Sequence, residues 1–307
     1  MPRRSAFSAE GAVIIPSVNR EVAELLDIHS AAGRRFTAGG VRSFVRERGT
    51  GADVVLLHGV PTSSFLYRKV IARLADQGLR AIAFDFPGLG LADRPRDFDY
   101  SWSGLSRWMG EAIDALELDG CHLVVHDIGG PIGCDWAIRN RDRVLSLTAL
   151  NTTLNPAGFR RPWPMQPFAV RGLGEIWLRA TPRALFAALF RNQGIADRRQ
   201  ISTAEIYAHH ALLMRLDRGR AFLRIMRGFE LTEEKQRFLW QGLAERPFPA
   251  RIVWGKRDPA FGLDEMRTVQ RVLDVDRPEL LPAKHFLQED QAAALAYAIA
   301  DHVAPLG

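Results

Sequence analysis

The chain has 307 residues, 47% hydrophobic and 25% charged, which suits one large globular core with an insertion and excludes a disordered or fibrous chain. Lys and Arg number 41 against 35 for Asp and Glu, a formal net charge of +6. The arginines are dispersed, with no polybasic run and no arginine-rich helix face interleaved with aromatics, so neither nucleic acid nor an acidic membrane surface is expected as a partner.

At the N-terminus, basic residues precede the short apolar run Ala12 to Ile15, which Pro16 stops. Neither a signal peptide there nor a membrane span in any later stretch is expected. The cysteines are Cys121 and Cys134. The first opens a predicted strand and the second lies well into the helix after it, so the two should end far apart and unbridged. A reducing, cytoplasmic location follows as an expectation.

RFTAGGVRSFVRERG, from Arg35, reads as a strand pair turned at Gly39-Gly40. DVVLLHG from Asp53 is a buried strand, followed by an amphipathic stretch from Ser64 to about Asp76. LRAIAFDFPG from Leu79 is the next strand, and a helix runs from near Ser101 to about Leu118. HLVVHD and VLSLTALN are strands flanking the helix GGPIGCDWAIRN. Near-continuous apolar strands alternating with helices predict a mostly parallel sheet covered on both faces.

From Pro156 to about Glu245 the pattern is helical throughout. PRALFAALFRN is amphipathic, STAEIYAHHALLMRL opens with a capping box from Ser202 to Glu205, and RAFLRIMRGF and TEEKQRFLWQGL continue in the same style. ARIVWG and ELLPA then resume the strand pattern, each with a helical segment behind it. The expected organisation is a core in two parts, 1–155 and 246–307, with a helical cap over 156–245 inserted after the sixth strand. In a doubly wound sheet, ligands bind beyond the carboxyl ends of the strands, and a helical block inserted there would roof that place.

Chemistry concentrates at the strand ends. In VVHDIGGPIG a buried strand ends at Asp127 and a helix begins almost at once past Gly129 and Gly130, the geometry of a nucleophile elbow. The helix N-terminus there favours an anion. Taken alone, Asp127 is equally a good helix cap. HGVPTSSFLYR follows the first long strand, and its Val60 N–H would form half of an oxyanion hole, with the Ile128 N–H as the other half. His285 follows the last strand, and Asp258 follows another, where an acid could orient the imidazole.

HGVPTSSFLYR, DFPGLGLADRP, HDIGGPIG, WGKRDPAFG and KHFLQED together resemble the haloalkane dehalogenase and epoxide hydrolase branch of the α/β-hydrolases, over most of the chain from about Arg35 onward and least in the cap. The resemblance implies the α/β-hydrolase fold, with Asp127 as nucleophile, His285 as base and Asp258 as acid. It also implies that Asn151, at the end of the preceding strand, is not the acid. No cofactor or metal is implied. An aspartate nucleophile suits saturated carbon better than an ester carbonyl, where it would form a mixed anhydride. The base then works in a second step, on water attacking the aspartyl ester.

Haloalkane dehalogenases cradle halide with a Trp after the nucleophile and an Asn or Glu in the His-Gly-x-Pro loop. Ile128 and Val60 stand there and have no side-chain donor, which leaves cap tryptophans such as Trp163 or Trp177 for that task. Fluoroacetate-type enzymes place an arginine where Ile128 stands. An epoxide hydrolase needs instead a proton donor in the cap, and Tyr207 with His210, three apart on one helix face, are the candidates. Phe186, Phe190, Leu213 and Met214 are candidates for an apolar lining. The expectation is hydrolysis of a small apolar epoxide to a diol, with water as co-substrate. Haloalkane dehalogenation with an altered halide site is the alternative, and a non-catalytic ligand-binding protein of the same fold is a third.

Overall fold

The structure is a computed structural model that describes residues 16–306; the reading of the apolar run before Pro16 falls outside them. Two antiparallel strands, β1 (Gly33–Ala38) and β2 (Val41–Arg48), open the sheet. The turn between them uses Gly39 and Gly40 at φ of 52° and 71°, left-handed values that suit glycine. Strands β3 (Asp53–Leu57), β4 (Arg80–Phe84), β5 (Cys121–Asp127), β6 (Val144–Thr152), β7 (Ala250–Gly255) and β8 (Glu279–Leu281) complete eight strands in the order β1-β2-β4-β3-β5-β6-β7-β8. Beyond the antiparallel β2–β4 pairing, all neighbours run parallel.

Strand alternation divides the core into two layers. Val55, Leu57, Leu123 and Val125 face one layer, with helices α3 (Trp102–Ala115) and α4 (Gly129–Arg139). Val54, Leu56 and Val124 face the other, with α2 (Arg68–Asp76) and the C-terminal α12 (Ala292–Val303). Every residue of β5 is buried, as a central strand covered on both faces requires. Cys121 and Cys134 are both buried and unpaired.

Between β6 and β7 the described residues form helices and no strand. These are α5 (Leu173–Ala180), α6 (Arg183–Gly194), α7 (Thr203–Met214), α8 (Arg220–Arg227) and α9 (Glu233–Ala244). The Ser202–Glu205 capping box forms at the start of α7, with the Glu205 N–H donating to Ser202 Oγ at 3.1 Å. Helix α10 (Leu263–Leu273) follows β7, and the single turn α11 (Leu287–Asp290) follows the loop after β8. Helix α1 (Pro16–Ala31) was not expected from the sequence; its Val22 and Leu26 bury against Ala204, Ala208 and Leu212 of α7.

Candidate active site

The turn from β5 to α4 puts Asp127 at φ 53°, a left-handed backbone for a buried non-glycine residue, which is a strained arrangement held by its surroundings. Those surroundings are visible. Thr152 Oγ1 donates to the Asp127 carbonyl at 2.5 Å, and a Cβ at Gly130 would strike that hydroxyl. A Cβ at Gly59 would strike the Asp127 carboxylate itself. Glycine at 59 and 130 therefore lets two chain segments close around one acid.

The Val60 N–H donates to Asp127 Oδ1 at 2.7 Å. Burial raises the Asp127 pKa, opposed by the nearby His285 and by the Ile128 and Val60 amides, all of which favour the ionised form. The loop carrying Val60 is fixed by His58, whose Nε2 accepts from the Phe86 N–H at 3.1 Å while its Nδ1 lies 2.9 Å from the Gly59 carbonyl. Both ring nitrogens are satisfied in one neutral tautomer, and burial lowers the His58 pKa accordingly.

His285 Nε2 stands 3.6 Å from Asp127 Oδ2, and its Nδ1 lies 2.8 Å from Asp258 Oδ2. Burial pulls the imidazole pKa down, but Asp258, by charge and hydrogen bond, and Asp127 outweigh it and hold the pKa above the usual histidine value. Asp258 is anchored in turn, since Asn151 Nδ2 donates to Oδ2 at 2.8 Å and the Ala260 N–H donates to Oδ1 at 2.7 Å. Asn151 also accepts from the Gly255 N–H at 2.7 Å, tying β6 to β7 beneath the acid. His126, beside Asp127 in sequence, lies 2.9 Å by its Nε2 from the His285 carbonyl, with its ring tilted at 39° to the His285 ring.

Asp127, His285 and Val60 open onto a cavity of about 130 Å³ walled mainly by apolar side chains of the helical insertion. Phe186, Phe190 and Leu213 line it; Met214 does not. Adjacent helical residues point about 100° apart and residues three apart about 60°, so a helix near the edge of the wall can present one residue of such a pair and not the other, as α7 does with Leu213 and Met214 and with His210 and Tyr207. His210 lines the cavity, whereas Tyr207 lies outside it, its ring under the Arg183 guanidinium at 3.9 Å. Burial pushes the His210 pKa down to about 4, so the ring is neutral at physiological pH. Trp163 is 64% exposed and off the cavity. Trp177 lines the wall, but its indole N–H donates to the Pro164 carbonyl at 3.1 Å.

Polar groups that the sequence did not single out also face this cavity, among them Arg161 and Gln193. The sequence offers Asn151 only as a residue that is not the acid; its position at the end of β6 is the available signal for its contact with Asp258. Among the described residues no group of His, Cys, Asp and Glu is arranged to hold a metal ion, and no helix is long and apolar enough to cross a membrane.

Residues 54–292 match the family model described as alpha/beta hydrolase fold. Haloalkane dehalogenase 2 of Mycobacterium tuberculosis is 31% identical over 281 residues, covering 87% of this chain and 93% of the relative. Cfl2 of Burkholderia cenocepacia superposes with a TM-score of 0.78 at 24% identity, over 88% of this chain and 94% of that one. The epoxide hydrolase CorEH superposes with a TM-score of 0.73 at 21% identity, over 90% and 99% of the two chains. The chain belongs to the α/β-hydrolase family, in the branch of the haloalkane dehalogenases and epoxide hydrolases.

Proposed function

We propose that this protein hydrolyses a small apolar epoxide to a diol through an ester formed on Asp127, with the helical insertion acting as a cap over the reacting groups. The observation that carries the reading is the division of labour between the Asp127 oxygens. Oδ1 accepts the Val60 N–H at 2.7 Å, while Oδ2 faces His285 Nε2 at 3.6 Å. In this scheme Oδ2 attacks an epoxide carbon, the carbon–oxygen bond breaks, and the ring oxygen leaves as an alkoxide that takes a proton from solvent. Neutral His210 donates a hydrogen bond to that oxygen from the cavity wall, an electrophilic role open to an uncharged imidazole.

In the second step His285 removes a proton from water, which attacks the ester carbon of Asp127. Oδ1 then carries the negative charge, held by the Val60 and Ile128 amides, each worth about 3 kcal/mol in such a position. Collapse breaks the bond from the ester carbon to Oδ2 and releases the diol, and the His285 proton goes to the departing oxygen. Asp258 stabilises the imidazolium meanwhile. The buried, unpaired Cys121 and Cys134 suit a reducing, cytoplasmic setting for this work.

Haloalkane dehalogenation is the second reading, favoured by the name of the relative at 31% identity. Against it, Val60 and Ile128 offer no side-chain donor, Trp163 is exposed, and the Trp177 N–H is engaged by Pro164. Parallel assays of diol formation and halide release, on epoxides and bromoalkanes of matched size, decide between the two. Intact-mass measurement of His285→Gln after exposure to each substrate tests the shared intermediate. Diol production with a substrate-sized adduct on Asp127 is expected. Halide release without diol would transfer the assignment to the second reading, and no adduct with any electrophile would leave a ligand-binding protein.

A further inference from the structure

Arg161 is an arginine without a counterion in a greasy chamber. It lines the cavity among Phe159, Pro164, Met165, Phe168, Phe222 and Phe229. One Nη2 hydrogen goes to the Met226 carbonyl at 3.0 Å, and the guanidinium carbon sits 4.8 Å from the Phe229 ring centroid. Its Nε is buried with no hydrogen-bond partner among the described residues. Arg68 and Arg94 are matched, by Glu289 at 2.6 Å and by Asp217 at 2.5 Å, whereas Arg46 and Arg215, which also have no carboxylate partner among the described residues, do not line the cavity. No described carboxylate forms an ion pair with Arg161.

A guanidinium stays protonated in a protein, and a buried charge is costly unless an opposite charge or several acceptors meet it. Burial is the sole influence on the Arg161 pKa, and it lowers it. Asp127 borders the same cavity, and its recorded partners are the Val60 amide and His285, not Arg161. The chamber therefore presents a carboxylate to a reacting carbon at one place, and an unmatched cation with a free N–H at another.

We infer that Arg161 is a carboxylate-binding subsite, and that the substrate is an amphiphile with an electrophilic carbon at the Asp127 end and a carboxylate at the Arg161 end. This deepens the function proposed above by replacing its apolar epoxide with one that also carries a carboxylate, and rests on that function for the electrophile, but the subsite can be tested without turnover. The apolar walls between the two groups hold a short aliphatic chain. The planar fork of Arg161 supplies Nε and a neighbouring N–H to the two carboxylate oxygens.

The test uses octanoate and its neutral counterpart octanamide as probes of the full-length protein at pH 7.5. Octanoate should raise the melting temperature and octanamide should not, while Arg161→Gln should abolish the octanoate effect and Arg161→Lys should keep part of it. In turnover, the kcat/KM ratio of an epoxy-alkanoic acid over its amide should exceed about 10 in the wild type, a charge-assisted hydrogen bond being worth at least that factor. It should fall to near parity in Arg161→Gln. Equal stabilisation by octanoate and octanamide, or an octanoate effect that survives in Arg161→Gln, overturns the subsite. If that variant does not fold, the wild-type comparison of the two probes decides alone. Arg161-dependent octanoate binding with no electrophile consumed would sink the hydrolase reading and leave the subsite standing.

Discussion

His285 Nε2 lies 3.6 Å from Asp127 Oδ2, too far for a hydrogen bond and close enough for their charges to interact. Asp127 in its ionised form helps Asp258 to keep a proton on His285. An ester on Asp127 removes that negative charge, so the imidazole loses one of its proton-holding partners when it is needed as a base. In the free protein His285 should titrate above its ordinary value. Hydrolysis of the trapped ester, which needs neutral His285, should lose rate toward acid with a midpoint below the free-protein titration. Imidazole NMR of the resting protein and single-turnover ester decay across pH give the two midpoints; coincident values would break the coupling.

The Asn151–Asp258 contact supplies a second prediction. Asp258 Oδ2 is shared between Asn151 Nδ2 and His285 Nδ1, each at 2.8 Å. Asn151→Ala frees one hydrogen bond to a charged group, worth about 1.5–3 kcal/mol, and should slow ester hydrolysis by about 10- to 150-fold. Asp258→Ala should cost roughly 10⁴-fold, as loss of the orienting acid does in comparable triads. Both variants should form the Asp127 adduct at near wild-type rates, because ionised Asp127 needs no base. Rapid-quench mass spectrometry separates the two steps.

His210 and Tyr207 now part company. Tyr207 sits outside the cavity beneath Arg183, so Tyr207→Phe should leave epoxide turnover within about twofold, the usual scale of a surface change. His210→Phe removes the wall N–H and should slow epoxide opening by about 10² or more. Adduct formation from a bromoalkane of equal size needs no proton and should be little affected. Equal losses on both substrates would show that His210 shapes the cavity and does not assist the leaving oxygen.

Glu289 marks a structural prediction with a definite pH sign. Its carboxylate is fully buried, contacted by Arg68 at 2.6 Å and by His209 Nε2 at 2.8 Å. This joins α2, α7 and α11 behind the cavity. Burial alone would raise the Glu289 pKa, but Arg68 and the His209 hydrogen bond hold it far below the usual carboxylate range. A depressed acid contributes stability above its unfolded value, near 4.5, and loses it as pH falls toward the folded value. Glu289→Gln strands Arg68 in part and should cost about 3–5 kcal/mol at neutral pH. Its stability should also fall less steeply than the wild type's below about pH 4.5. Urea melts at pH 7 and pH 4 read both effects.

The sheet was legible because parallel strands write long apolar runs between turn residues, and the insertion because strands vanished between Asn155 and Ala250. The strand-end residues stood out through short-range grammar, in which His58-Gly59, Asp127 with Gly129 and Gly130, and Asp258-Pro259 each punctuate a strand. Helix α1 carried a periodic signal in Val18, Val22, Leu25 and Leu26, but lay beside an N-terminus read only for targeting. Side-chain direction in the insertion was the harder matter. Tyr207 and His210 share a helix, yet whether either meets the cavity depends on the rotation of α7 against the sheet, which no local pattern encodes. The same holds for Arg161, ordinary in sequence among many arginines and distinguished by facing the cavity with no described carboxylate paired to it.

The tethering of Asp127 Oδ1 to the Val60 amide has a material consequence under the proposed scheme. The loose oxygen departs with each product, and solvent replaces it. In heavy-oxygen water the first molecule released would still bear light oxygen inherited from the protein, and isotope would enter the polypeptide before it reached the diol. The residue is thus consumed and rebuilt atom by atom, while its anchored partner keeps the frame in place.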